Sequence, residues 1–221
     1  MTFESDAQRF EFCRHRLYTA VVSDILDSLG YCHQAMRENL RPIHPDHVVV
    51  GRAKTVLWME VFQVPENPYE LEIRAVDSLR PGEVIVHATG QSRRIAPWGE
   101  LMTTAALMRG GTGAVVDGMI RDVKKILTMN FPVFCVGMKP VDSKGRGLVM
   151  DFDCPIECGD VLVRPGDIVF GDYDGIVVIP REIEEEVWAR AVEKVEGENL
   201  TRAELLQGAL LGEVYAKYGI L

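Results

Sequence analysis

The alternation of short apolar runs with amphipathic stretches between residues 84 and 136 limits the fold more than any other feature of the chain. Val84 to Ala88 is an apolar run of strand length, Trp98 to Arg109 has helical spacing, and Ala114 to Val116 is again a buried strand. Asp122 to Met129 reads as a helix and Pro132 to Val136 as a strand. Parallel strands need long crossover connections and hairpins do not, so this rhythm predicts parallel βαβ units.

The flanks differ. Residues 6–30 carry Phe10, Leu17, Val21, Ile25 and Leu29 at helical spacing and stop at Gly30, which predicts one N-terminal helix with a glycine cap. Val48 to Val56 reads as a strand and Tyr69 to Leu79 as a helix closed by Arg80-Pro81-Gly82, whereas Met59 to Asn67 has no assignable period. Between 140 and 180 Gly, Pro and Asp accumulate. Strands are expected there at Val161 to Val163, Asp167 to Phe170 and Gly175 to Ile179, with Asp174-Gly175 as a hairpin turn. Arg164-Pro165-Gly166 echoes Arg80-Pro81-Gly82, each a turn that opens a strand. Arg181 to Tyr218 reads as a long charged helix or helix pair that packs on a neighbouring subunit as well as on its own body.

Size and charge narrow the function. The 221 residues are expected to form one unit, 1–221, with a sizeable core. A net charge of −9 argues against nucleic acid as a partner, because phosphate binding needs a basic face. No apolar run approaches the ~20 residues of a membrane span, and the polar start Met1 to Asp6 has no export signal. Five scattered cysteines read as reduced thiols, so a cytoplasmic location is expected. Cys154 and Cys158 have no second Cys or His pair with which to build a zinc site.

The stretch Gly110 to Val123 carries the chemistry: a glycine-rich turn, a short strand, a second turn at Asp117-Gly118, and Arg121-Asp122 opening a helix. A guanidinium there suits a carboxylate or carbonyl oxygen, and the neighbouring carboxylate suits a hard divalent cation. A helix-capping Asp beside a solvated Arg explains the pair equally simply. Pro97-Trp98-Gly99-Glu100-Leu101-Met102 opens another helix, whose free N–H groups bind anions or merely accept a favourable first-turn Glu. The acids of Pro165 to Pro180 read as turn residues. Glu198 and Arg202 form either a surface i,i+4 pair or, through Glu198, a contribution to a neighbour's site. His87, in an apolar strand, reads as a core histidine. Dinucleotide, P-loop and nucleophile-elbow motifs are missing. A methyltransferase would need a glycine-rich loop after its first strand, and Gly110-Gly111-Thr112-Gly113 precedes one instead.

Together, Trp98 to Leu101, Gly110 to Asp122, Pro132 to Phe134 and Pro165 to Pro180 resemble the 4-hydroxy-4-methyl-2-oxoglutarate aldolase family, which includes the regulators of ribonuclease activity A. The resemblance implies an α/β fold with a layered β/β/α core of the swivelling phosphohistidine-domain type and flanking N- and C-terminal helices. It implies homotrimers or hexamers with sites between subunits. The implied activity is a Mg²⁺- or Mn²⁺-dependent cleavage of a 4-hydroxy-2-oxo acid that releases pyruvate, with oxaloacetate decarboxylation alongside. A protein-binding regulator without catalysis is the alternative. By the same resemblance Asp122 holds the metal, Arg121 the substrate, and Gly99, Glu100, Leu101 and Met102 the pyruvyl carboxylate, while Glu198 reaches in from the adjacent subunit. Arg121, Asp122 and Glu100 form the implied catalytic set, with proton transfer open between Glu100 and a metal-coordinated water. Trp58 to Glu66 and the region before Val48 match the family only loosely.

Overall fold

A computed structural model describes residues 3–220. In chain order the elements are α1 (Asp6–Arg16), α2 (Thr19–Ser28), β1 (Arg41–Pro42), β2 (Val49–Glu60), α3 (Glu70–Asp77) and β3 (Glu83–Ala88). Then come α4 (Glu100–Met108), β4 (Gly113–Ile120), α5 (Val123–Thr128), β5 (Val133–Met138), β6 (Gly147–Phe152) and β7 (Ile156–Cys158). The chain ends with β8 (Val161–Val163), β9 (Ile168–Asp172), β10 (Gly175–Ile179), α6 (Glu184–Leu206) and α7 (Leu211–Tyr218).

The expected parallel units are present. β2, β3, β4 and β5 run parallel in that spatial order, and β9 and β10 continue the sheet antiparallel beyond β2. Every residue of β4 is buried, as a central parallel strand covered on both faces requires. The segment before β2 joins the two edges: Ala35 bridges to Val177 of β10, and Arg41 pairs with Cys135 of β5. The result is a mixed α/β fold with a nearly closed, barrel-like sheet and flanking helices. Val49, Val86, Val115, Phe134 and Val178 fill its interior. One outer face packs on α3, α4 and α5 through Trp58, Val76, Trp98, Ala106, Ile126 and Phe131, the other on α1, α2 and α6 through Phe10, Leu26, Phe170 and Trp188.

Three local expectations change. The N-terminal helix breaks at the extended residues Leu17 and Tyr18, because Asp172 takes the N–H and hydroxyl of Thr19 at 2.8 and 2.7 Å. A continuous helix would have used that N–H internally. The strand expected to end at Val56 runs to Glu60, since β6 supplies an antiparallel partner for its second half. Asp117 and Gly118 are not a turn. They stay inside β4 at a register irregularity, where Asp117 accepts from the Thr89 N–H and hydroxyl. A Cβ on Gly118 would lie 2.6 Å from the Thr89 hydroxyl, so the glycine serves close packing rather than chain reversal. Of the two forms expected for the C-terminal helical segment, the structure has the pair, α6 and α7.

The echoed Arg-Pro-Gly turns flank β2 on both sides, so that Arg52 pairs with Glu83 of β3 and with Ile168 of β9. The Arg52 side chain bonds Asp6 at 2.7 Å, Glu184 at 2.5 Å and the Gly166 carbonyl at 3.1 Å, tying the sheet to α1 and α6. Arg52→Ala strands the buried Glu184 with Arg9 alone. We expect a loss of about 3 kcal/mol in urea unfolding, and a loss below about 1 kcal/mol would show the ion pair to be incidental.

Candidate functional site

The carboxyl ends of the parallel strands deliver three segments to one place. Trp98 forms a parallel bridge to Ile120, and its carbonyl accepts the Arg121 N–H at 2.9 Å. This holds the start of α4 against the Arg121-Asp122 turn. The end of β5 leads into Asp142 and Ser143 on the third side. Between them lies a cleft of about 430 Å³ lined by Tyr69, Glu72, Gly99, Arg121, Asp122 and Asp142, with Leu101 and Met102 at its rim. Strand ends at the carboxyl edge are where open α/β sheets place ligand sites.

Asp122 adopts a left-handed conformation, φ 59°, which Asp tolerates. Its side chain makes no capping bond to its own short helix, so the helix-cap reading fails. Instead Oδ2 accepts the Glu100 N–H of α4 at 3.3 Å and lies 3.9 Å from Arg121 Nε. Gly99 makes this possible, because a Cβ there would stand 2.7 Å from Asp122 Oδ2 and 3.1 Å from Arg121 Cγ. α4 has no side-chain cap, and among the described residues the Leu101 and Met102 N–H groups find no acceptor. They are free for an anion at a helix N-terminus.

The predicted residues therefore divide. Gly99, Arg121 and Asp122 meet in the cleft, and Leu101 and Met102 border it. The Leu101 side chain is 77% exposed, so its contribution is the backbone N–H. The Glu100 side chain is not part of the lining and points toward Lys125, 3.9 Å away. Glu198 lies half-buried on α6, apart from the cleft of its own chain, and Arg202 bonds Asn199 at 2.6 Å. His87 is a core residue, as expected: it is 1% exposed, accepts from Trp58 Nε1 at 2.9 Å, and burial lowers its pKa to about 3.

Asp142, Tyr69, Glu72 and Ser143 were not foreseen. Asp142 accepts the Tyr69 hydroxyl at 2.6 Å and the Ser143 N–H at 2.7 Å, and lies 3.6 Å from Arg121 Nη2. Burial alone would raise its pKa, but these bonds and the guanidinium hold it below the usual carboxylate range. Losing a proton beside that carboxylate is unfavourable for Tyr69, whose phenol rises to about 12. Glu72 is only 4% exposed. Burial pushes its pKa up to about 8, the Asp142 charge adds to the rise, and the Ser143 hydroxyl and Arg121 oppose it. One signal was available: Glu72 shares the i, i+3, i+4 stripe of α3 with buried Ala75 and Val76, a place for an apolar side chain.

Among the described residues no three His, Cys, Asp or Glu side chains gather into a ready-made cage. The half-exposed Asp122 fits a cation that keeps most of its water, since Mg²⁺ is commonly held by one or two carboxylates plus water and substrate oxygens.

Because the native state holds the Glu72 proton up to about pH 8 and the unfolded chain only to about 4.5, this group's stabilising contribution is full below pH 4.5 and is lost as pH rises through 8. Glu72→Gln mimics the neutral acid and lacks that loss. Urea midpoints at pH 5 and pH 9 should therefore converge in the variant, and an unchanged pH dependence would contradict a neutral Glu72.

The chain is similar to proteins of one family along most of its length. The RraA-like family model, described as Aldolase/RraA, matches residues 19–178. A relative from Halalkalibacterium halodurans named "Putative 4-hydroxy-4-methyl-2-oxoglutarate aldolase" is 37% identical over 177 residues, covering 80% of this chain and 79% of its own. Streptomyces coelicolor RraAS2, described as an unusual member of the RNase ES inhibitor RraA protein family, superposes with a TM-score of 0.82. It is 26% identical, over 91% of this chain and all of its own. A structure described among novel cellulases from microbes associated with the gut ecosystem is 32% identical with a TM-score of 0.83, over 90% and 89% of the two chains. With the same helix start, Arg-Asp turn and sheet that the resemblance rested on now seen in three dimensions, the chain belongs to the RraA-like family.

Proposed function

We propose that this protein is a divalent-metal-dependent lyase of the class II aldolase type, which cleaves a 4-hydroxy-2-oxo acid to release pyruvate and decarboxylates oxaloacetate alongside. The observation that carries the reading is the meeting of two free α4 N–H groups, the Arg121 guanidinium and the Asp122 carboxylate around one cleft. The cleft volume suits a small dicarboxylic oxo acid.

Leu101 and Met102 N–H groups receive the pyruvyl carboxylate at the positive end of α4. Asp122 would hold Mg²⁺ or Mn²⁺, which supplies Lewis acidity at the oxo group of the substrate. Arg121 stands where negative charge grows on that oxygen as the carbon–carbon bond breaks, and its effect strengthens once water is excluded. Asp142, ionised and fixed by Tyr69, keeps the guanidinium aimed into the cleft. The aldolase-named relative supports this chemistry.

Glu198 completes the site from an adjacent subunit of a homotrimer or hexamer whose core is layered in the phosphohistidine-domain manner, and residues 1–221 act as one unit in the cytoplasm. Among the described residues no helix is long and apolar enough to cross a membrane. A regulator without catalysis is the second reading, favoured by the end-to-end likeness to RraAS2.

A coupled assay of pyruvate release from oxaloacetate with Mg²⁺ separates them. Turnover is expected, with a fall of ~10²-fold or more in Asp122→Ala and to background on chelation. Arg121→Lys keeps the charge but loses the planar fork, and kcat/KM should drop ~10-fold or more. Full turnover in Asp122→Ala, or none with any divalent metal, contradicts the lyase, and the second result favours the regulator.

A further inference from the structure

We propose that Glu72 is the proton donor of this cleft, delivering its carboxylic proton to the enolate that carbon–carbon cleavage leaves behind. The proposal rests on the lyase reading above.

Of the three carboxyl groups that line the cleft, Glu72 and Asp142 are neighbours, and the structure gives them opposite surroundings. Asp142 receives the charged and backbone donors: Tyr69 hydroxyl, Ser143 N–H and the nearby guanidinium of Arg121. Glu72 receives none of these. Its single partner is the Ser143 hydroxyl, 3.2 Å from Oε2, and that same hydroxyl lies 3.4 Å from Asp142 Oδ1. A hydroxyl has one proton to give. Directed to the ionised Asp142, it leaves its oxygen free to accept from Glu72, which suits a Glu72 that carries a proton. The charges acting on Glu72 are those of Asp142 and Arg121, while Glu70 and Arg74 of its own helix are turned to solvent. Environments that push two neighbouring carboxyls apart mark an acid and its ionised companion. An acid that titrates near the working pH is also the most effective donor.

The step balances. The 4-hydroxyl of the substrate gives its proton to water as C4 becomes a carbonyl, and the electron pair of the breaking C3–C4 bond stays on C3 as the enolate of pyruvate. C3 then takes the proton of Glu72, forming a C–H bond as the carboxyl O–H breaks. The carboxylate that remains is met by the Ser143 hydroxyl and recovers a proton from water entering the cleft. Glu100, the proton-transfer candidate of the sequence, presents its side chain toward Lys125 and lies outside the lining.

The reverse of this step exchanges the methyl protons of pyruvate, which proton NMR in D₂O reads without any cleavage. With Mg²⁺ present the wild-type protein should exchange them. Its rate should climb with pH, inflect near 8 where half of the Glu72 carboxylate is formed, and level off at higher pH. In Glu72→Gln the exchange should fall ~10²-fold or more while pyruvate dissociation, measured by calorimetry, stays within about threefold. Glu72→Asp should recover part of the rate. Exchange in Glu72→Gln within about threefold of wild type overturns the proposal and leaves the lyase reading intact. Failure of the wild-type protein to bind pyruvate or exchange its protons overturns both. Should the variants not fold, the wild-type profile decides: an inflection near pH 8 with a plateau above it supports the donor, and a rate without that inflection overturns it.

Discussion

The parallel bridge between Trp98 and Ile120 is the constraint on which the cleft depends. Trp98 is fully buried between the sheet and Phe131, with ring centroids 6.3 Å apart, so the chain on either side of it has little freedom. Because its carbonyl is taken by the Arg121 N–H, the next residue, Gly99, must face the Arg121-Asp122 turn. α4 then begins with its N–H groups directed at Asp122. Local geometry, core packing and site electrostatics meet in that contact, and none of the three elements would define a cleft alone.

Charge distribution then decides what the cleft can do. The chain carries an excess of nine negative charges, yet its cleft gathers a guanidinium and a helix N-terminus against carboxylates that are individually tuned. Asp142 is satisfied by donors and stays ionised, whereas Glu72, a short distance along the same wall, lacks them and keeps its proton. The difference arises from how deeply each is buried and which donors each reaches, not from residue type.

The parts of this arrangement visible in the sequence are those written in local pattern. Glycine before a helix start, Arg-Asp after a buried strand, and apolar runs separated by helices are short-range signals, and they located Gly99, Arg121, Asp122 and the parallel sheet. Tyr69 and Glu72 at the start of α3 and Asp142 after β5 come from two segments far apart in the chain, so spacing along it says nothing of their company. Misreadings have the same origin. Asp117-Gly118 has the composition of a turn but lies inside β4, because Thr89 from the neighbouring strand's exit satisfies the carboxylate. The N-terminal helix pattern was continuous, yet Asp172, more than 140 residues later, splits it at Thr19. In each case a long-range hydrogen bond overrode a local preference.

The central claim is that a pyruvyl carboxylate sits at the start of α4 within reach of Arg121. A crystal structure of the protein soaked with pyruvate and Mg²⁺ tests it most directly. The account predicts the carboxylate on the Leu101 and Met102 N–H groups, the oxo oxygen facing Arg121, and the cation on the Asp122 side. Pyruvate bound elsewhere, or a cleft left empty at saturating concentration, would contradict it.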